Sequence, residues 1–436
     1  MCKYSPRGSG ANLGVQGAWM ISSSSLRSFG ALATAALVTF LALSVWAVRD
    51  SAPDGDPFAS PLGSMVVRPR LAGFAALTAL TERVRKAKGL TQRLPLDYGA
   101  NPRAADQALD GDLLRDLPGA VEVVLASTAA ASGESQASAE VDETTWPTAN
   151  TIVHLLTLQL QRQWSRKDDG DAETVRRAVR FVRFLLGQAR SFRELAWAES
   201  SCADLLRALS SGLEAGPLTP SRMQALPPME DLADPAVLAR SALEATRNEY
   251  TLFAASLDRV RAQKGRLLSR VFFQPNRTRR EWLTTMTASA EALQGGEVAT
   301  AYDALASRAT TLSAHQPLVR NSLGARLMAM SVEGTLQALA QSVDLIADLR
   351  LLKVRSMMGL YREAHGAWPP DLARLSGPQG AVTFVDPWAK GSLFRYSPTE
   401  GRLYSIGRDG RDDHGLFSRG LFYGTGASDL GLGFSK

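Results

Sequence analysis

Residues 319–370 read VRNSLGARLMAMSVEGTLQALAQSVDLIADLRLLKVRSMMGLYREAHGAWPP, and their pattern decides the fold class. The helical period runs almost without interruption from Val319 to about His365. Gly324, Gly334 and Gly359 predict one or more breaks in it, because glycine is a poor helix former. The helix is expected to stop at His365-Gly366, where glycine suits a left-handed cap, and Trp368-Pro369-Pro370 forbids its continuation. A short helical turn over Asp371–Leu375 follows. Three short runs of β character come next: Ala381–Val385, Ser392–Tyr396 and Arg402–Ile406, with SPTEG at 397–401 as the turn between the last two. Phe394 and Tyr396 are expected on one sheet face, and Tyr404 and Ile406 on a face of the partner strand. The acidic loop GRDGRDDHG at 407–415 closes this segment.

The same helical period extends upstream. After Arg70, Phe74, Leu77, Leu80 and Val84 follow at spacings of three and four. The clearest amphipathic helix covers Ala172–Phe192, with Val175, Val179, Val182, Leu185, Leu186 and Ala189 on one face. Arg176, Arg180, Arg183 and Arg190 form a stripe on another face, read as a solvated surface rather than a seat for anionic lipid, wall polymer or an acidic partner. Further helices are expected at Leu195–Leu213, Pro235–Gln263, Arg279–Leu293 and Val298–Ser313. LTLQLQ at 156–161 is ambiguous between strand and helix, and Ala126–Asn150 is expected to be a long mobile loop. The fold class that follows is mainly α. It comprises an irregular helical body over 66–340, a small C-terminal α+β domain over 341–416, and a flexible glycine-rich tail over 417–436.

Near the N-terminus, FGALATAALVTFLALSVWAV at 29–48 is 20 residues long and carries no charge. At about 1.5 Å per residue it spans roughly the 30 Å of a hydrocarbon core, which predicts a transmembrane helix. The leader 1–28 holds Lys3, Arg7 and Arg27 and no acid, whereas Asp50, Asp54 and Asp56 follow the apolar run. The positive-inside bias then places the N-terminus in the cytoplasm and the bulk of the chain outside it, in a single-pass protein of the inner (cytoplasmic) membrane. Residues 49–65, rich in proline and glycine, read as a tether off the lipid bilayer. Two alternatives stand beside this reading: a signal peptide cleaved after Ala47, and a true start at Met20.

Composition narrows the function classes. A length of 436 residues allows two or three domains, and 45% hydrophobic with 21% charged residues is a globular balance. The net charge of +6 comes from 41 arginines and 8 lysines scattered among 43 acids, with no basic run, so a nucleic-acid partner is not expected. Cys2 and Cys202 are too few for a disulfide scaffold or a four-cysteine zinc site. No Gly-x-Ser-x-Gly, His-Glu-x-x-His, Cys-x-x-Cys or phosphate-cradling Gly-x-x-x-x-Gly-Lys is present, and the chain is read as a non-enzyme. The alternative is an envelope hydrolase built on non-local carboxylates such as Glu244 and Glu249.

One candidate ion site emerges. Asp409, Asp412 and Asp413 lie close together in a loop bent by Gly410 and bounded by Gly407 and Gly415, and Ser405 offers a further oxygen. Ca²⁺ takes about six to eight oxygen ligands, which such a loop can supply from carboxylates and carbonyls. A solvated acidic turn, partly neutralised by Arg408 and Arg411, is the other reading.

The stretch from about Leu349 to Gly415 resembles the C-terminal part of type II secretion major pseudopilins. The matching pieces are a helix with Tyr361, then His365-Gly366, Trp368-Pro369, Leu372 and Leu375, then Asp386-Pro387-Trp388, Tyr396 and YSIGRDGRDDHG at 404–415. The resemblance implies calcium at Asp409, Asp412 and Asp413 and a place beside secretion or pilus-like machinery. A pseudopilin carries its membrane helix directly before this domain. Here the apolar run lies about 300 residues upstream, so polymerisation in the pilin manner is not expected. The whole chain more closely resembles large bacterial single-pass membrane proteins that append such a domain to a helical body, with VFFQPNRTRREW at 271–282 similar to theirs. That group carries no established activity, and the expectation is a structural or adaptor role in the bacterial envelope.

Overall fold

The computed structural model describes residues 73–86, 112–130, 144–168, 170–216, 218–226, 234–263, 273–314, 321–375, 384–415 and 430–433, together with residues 38, 102, 105, 106 and 232. The apolar run Phe29–Val48 lies outside the described residues apart from Val38, which is helical, and so do the leader and the tether. Among the described residues no helix is long and apolar enough to cross a membrane.

Ten helices are described: α1 (Gly73–Lys86), α2 (Asp112–Ala130), α3 (Thr145–Arg166), α4 (Asp171–Gln188), α5 (Phe192–Ala215), α6 (Pro220–Ala225), α7 (Pro235–Gln263), α8 (Pro275–Gln294), α9 (Val298–Ala314) and α10 (Ser322–His365). A 3-10 turn at Leu372–Leu375 leads to a three-stranded antiparallel sheet in the order β1 (Arg395–Ser397), β2 (Arg402–Ser405), β3 (Leu430–Gly433). The architecture is mainly α with one small sheet.

The apolar stripe of α4 is buried as its spacing requires, with Val175, Val182, Leu185 and Leu186 fully enclosed. Its arginines are answered within the chain: Arg176 pairs with Glu173 and Arg180 with Glu122 of α2. Arg190 does not belong to the stripe. It lies past the helix end, buried, and its guanidinium donates to the carbonyls of Gly187 and Ala189 at 3.1 Å, which would otherwise be orphaned. Ser191 then caps α5, its hydroxyl accepting from Glu194 N at 3.2 Å.

The segment expected to be a loop over 126–150 is helical at both ends. α2 continues to Ala130 through an alanine-rich turn, and α3 begins at Thr145 with Trp146 buried against Phe74 at a ring distance of 6.3 Å. Residues 131–143 lie outside the described set. LTLQLQ belongs to α3, where Leu155, Leu156, Leu158 and Leu160 are all buried; burial on more than one side of a helix gives the same apolar density as a strand.

The break expected in residues 319–370 does not occur. α10 is one helix of 44 residues, about 66 Å long. Its glycines mark close approaches instead. A Cβ at Gly359 would stand 2.4 Å from Pro220 Cγ, and one at Gly324 would stand 2.1 Å from Thr278 Oγ1. Gly366 adopts φ 71° and its N–H returns to the Arg362 carbonyl at 2.8 Å, ending the helix where expected.

α10 serves two cores. The larger gathers α1 to α9 with Leu339, Val343, Leu345, Ile346, Leu349 and Leu352 of α10. The smaller gathers Leu351, Val354 and Met358 with Leu372, Leu375, Phe384, Phe394 and Leu403. Along α10 the larger core reaches Leu352 and the smaller one begins at Leu351. Two strand expectations also change. Of Ala381–Val385, residues 381–383 lie outside the described set, and Val385 forms a single bridge to Leu393. The third strand is Leu430–Gly433, from the stretch expected to be a flexible tail. It pairs along the whole of β2, Leu403 opposite Leu432 and Tyr404 opposite Gly431. The core residue of β2 is Leu403, while Tyr404, on the strand's other face, reaches the acidic loop through its hydroxyl.

Candidate functional site

The acidic loop 407–415 follows β2. Asp409 is exposed, and its Oδ1 accepts from Arg411 N at 3.0 Å, closing a local turn. Asp412 Oδ1 accepts from the Tyr404 hydroxyl at 3.0 Å and from His414 N at 2.9 Å, and Arg395 stands 3.5 Å from Oδ2. Slight burial pulls the Asp412 carboxyl up, but these donors outweigh it and hold the group below its ordinary value. Asp413 is half-buried. Ser405 is fully buried and turned away: its hydroxyl donates to Asp386 Oδ1 at 2.7 Å and accepts from Gly407 N at 3.2 Å. One oxygen of Asp409, one of Asp412 and the Ser405 hydroxyl thus serve the chain's own groups. Among the described residues no group of three or more His, Cys, Asp or Glu is placed to share a metal ion. Ser405, committed to Asp386 and Gly407, is not free to join an ion held by the three aspartates. Thermal unfolding of the full chain should show the same midpoint in excess calcium and in chelator. A calcium-dependent rise of several degrees would mean that the loop rearranges around the ion.

Asp386, in the Asp386-Pro387-Trp388 motif, gathers donors from both sides of the sheet's first turn. It is 1% exposed and accepts from Ser405 Oγ at 2.7 Å, Trp388 N at 2.9 Å and Ile406 N at 3.1 Å. Burial raises its pKa, and those three donors hold the rise in check. The motif thereby ties the turn before the sheet to the end of β2.

Trp388 leaves the small core rather than joining it. Its ring meets Tyr302 of α9 edge-on at 5.0 Å, and its indole N–H donates to Asp344 Oδ1 at 3.0 Å. Arg408, from the turn after β2, donates to Asp344 Oδ2 through Nε at 3.0 Å and again through Nη2, and to Gln337 at 3.2 Å. Arg350 of α10 reaches the Val385 carbonyl at 2.8 Å, and Lys390 stands 3.5 Å from Asp303. One aspartate on α10 thus anchors the sheet to the helical body. Trp368, by contrast, lies half-buried beside the small core with the guanidinium groups of Arg355 and Arg362 over its ring at 4.6 and 4.7 Å.

No family model, curated protein or solved structure matches this chain.

Behind Asp344 lies a second set of acids that the sequence reading missed. Glu199 of α5 and Asp348 of α10 are 3% and 6% exposed. The Ser342 hydroxyl contacts Glu199 Oε1, while Glu199 Oε2 and Asp348 Oδ1 have no hydrogen-bond partner. Burial pushes Glu199 up to about 8, with help from Asp344 and against the pull of Ser342 and Arg408. Burial, reinforced by Asp344, holds Asp348 well above its ordinary value, with Arg207 opposing. Asp344 is raised by burial too, and Arg408 and Trp388 hold that rise down. Cys202, one turn from Glu199, is raised by burial and by both acids, and its thiol donates to the Leu232 carbonyl at 3.4 Å. The signal was available: Leu195, Glu199, Cys202 and Leu206 follow at helical spacing, so Glu199 sits on an apolar stripe. The acids named for the hydrolase reading lie on α7. Glu244 is buried and paired with Arg247 at 2.7 Å, and Glu249 is half-buried, its pKa raised by that burial.

Proposed function

We propose that this chain is a non-catalytic, membrane-anchored protein of the bacterial envelope, serving as a structural adaptor beside secretion or pilus-like machinery. The observation that carries the reading is α10, a single helix of 44 residues that enters both cores. With Asp344 clamping Arg408 and Trp388, it presents the small sheet at the end of a stiff arm rather than on a flexible linker. A long helix followed by a small antiparallel sheet is also what a pseudopilin-like terminal domain would have. The uncharged run Phe29–Val48 supplies the contact with the lipid bilayer, with the N-terminus in the cytoplasm. Glu244 is neutralised by Arg247, which speaks against the hydrolase alternative. The reading is tested by fractionating bacteria that express the full chain. The protein should stay in the membrane pellet through carbonate washing, and protease added outside the inner membrane should digest the body. Recovery in the wash, or protection of the body from protease, would overturn it.

A further inference from the structure

We propose that Glu199 and Asp348 are kept as neutral acids in the seam between α5 and α10, and that their ionisation loosens this seam and the seat of the sheet upon it. The inference goes beyond the adaptor role and does not depend on it.

The geometry sets the balance of charge. Asp344 and Asp348 lie one turn apart on α10, and Glu199 of α5 meets that stretch through Ser342, with Asp344 acting on both buried acids. Arg408 is committed to Asp344. Arg207, the other cation acting on the cluster, pairs with Asp204 at 2.7 Å. On neighbouring helices Glu244 of α7 pairs with Arg247, Glu281 of α8 with Arg277, and Asp303 of α9 with Lys390. That leaves two buried acids without a counter-ion of their own. Each also has one oxygen without a donor, an arrangement costly for a carboxylate and mild for a carboxylic acid. Ser342 opposes this: its hydroxyl donates to Glu199 Oε1 and favours the charged form, but burial outweighs that single donor.

The sign of the pH effect follows. Both groups bind protons more tightly folded than unfolded, so they weaken no fold below the ordinary carboxylate range, and stability falls as pH rises toward the folded value of about 8 for Glu199. Once charged, Glu199 and Asp348 repel each other and Asp344, and hydration is gained by parting α5 from α10. Asp344 sits within that stretch of α10, so Arg408 and Trp388 lose their fixed partner.

The test uses the full chain in detergent, as wild type, Glu199→Gln, Asp348→Asn and the double variant. Infrared difference spectra at pH 7 should show protonated carboxyl absorption in the wild type that weakens in each single variant. Between pH 5 and pH 9 the wild-type melting midpoint should fall by several degrees more than that of the double variant. Amide-exchange protection over 338–350, corrected for the intrinsic pH dependence of exchange, should fall with it. Parallel pH profiles in wild type and double variant would overturn the proposal. Should the double variant not fold, wild-type and single-variant spectra that show no such difference would do the same.

Discussion

Replacing Trp282 by alanine is expected to lower stability by about 3–5 kcal/mol, as a fully buried tryptophan in a packed core should. Trp282 is 0% exposed and lies within 5.2 Å of the Tyr250 ring and 6.0 Å of the Phe253 ring, between α8 and α7. Its indole N–H donates to Ser331 of α10 at 3.0 Å, so one side chain fastens three helices. Rigid neighbouring rings collapse poorly into the space left behind, which puts the cost toward the upper end. Chemical denaturation followed by tryptophan-independent circular dichroism should show the midpoint falling. Val123→Ala, at a site 62% exposed, should leave it within about 0.5 kcal/mol of wild type. Equal effects from the two substitutions would contradict the core described for α7, α8 and α10.

Asp386→Ala is expected to cost on the order of 3 kcal/mol, because it strips three donors of one buried acceptor. Ser405 Oγ, Trp388 N and Ile406 N all end on this carboxylate. Asp386→Asn keeps the shape but presents an N–H₂ to at least one donor, so its loss should fall between alanine and wild type. Hydrogen exchange over residues 395–405 should accelerate in both variants while α3 and α4 stay protected. Uniform acceleration across the chain would show that Asp386 supports the whole fold rather than the sheet.

The legible and illegible parts of this chain divide along physical lines. α7 spans Pro235–Gln263, as its proline start and helical period announce, and α10 ends at Gly366 because only a left-handed residue fits there. Gly324 and Gly359 misled, since propensity penalises glycine whereas Thr278 and Pro220 require it. β3 was hidden by composition: LGLG alternates as a strand should, but its glycines lower β propensity, and its partner β2 lies about 25 residues earlier. Adjacency in sequence counts the acidic loop's carboxylates but not their donors, which for Asp412 are Tyr404 and His414 N and for Asp409 is Arg411 N. Glu199 and Asp348 drew no notice because charged residues on an apolar stripe are read as surface until packing places them inside.

A helix that belongs to two cores has a consequence for how the molecule can be divided. Cutting at residue 341 would carry Leu345, Ile346, Leu349 and Leu352 away from the partners they share with α5, α7 and α9. The severed sheet fragment would expose an oily helix face, and the remaining body would be left with an open trough. Cutting nearer 351 merely moves the wound, since Leu351 and Leu352 already face different cores. The small sheet therefore cannot be swapped between proteins as a detachable cassette, and any heritable exchange of it must bring the whole of α10 along.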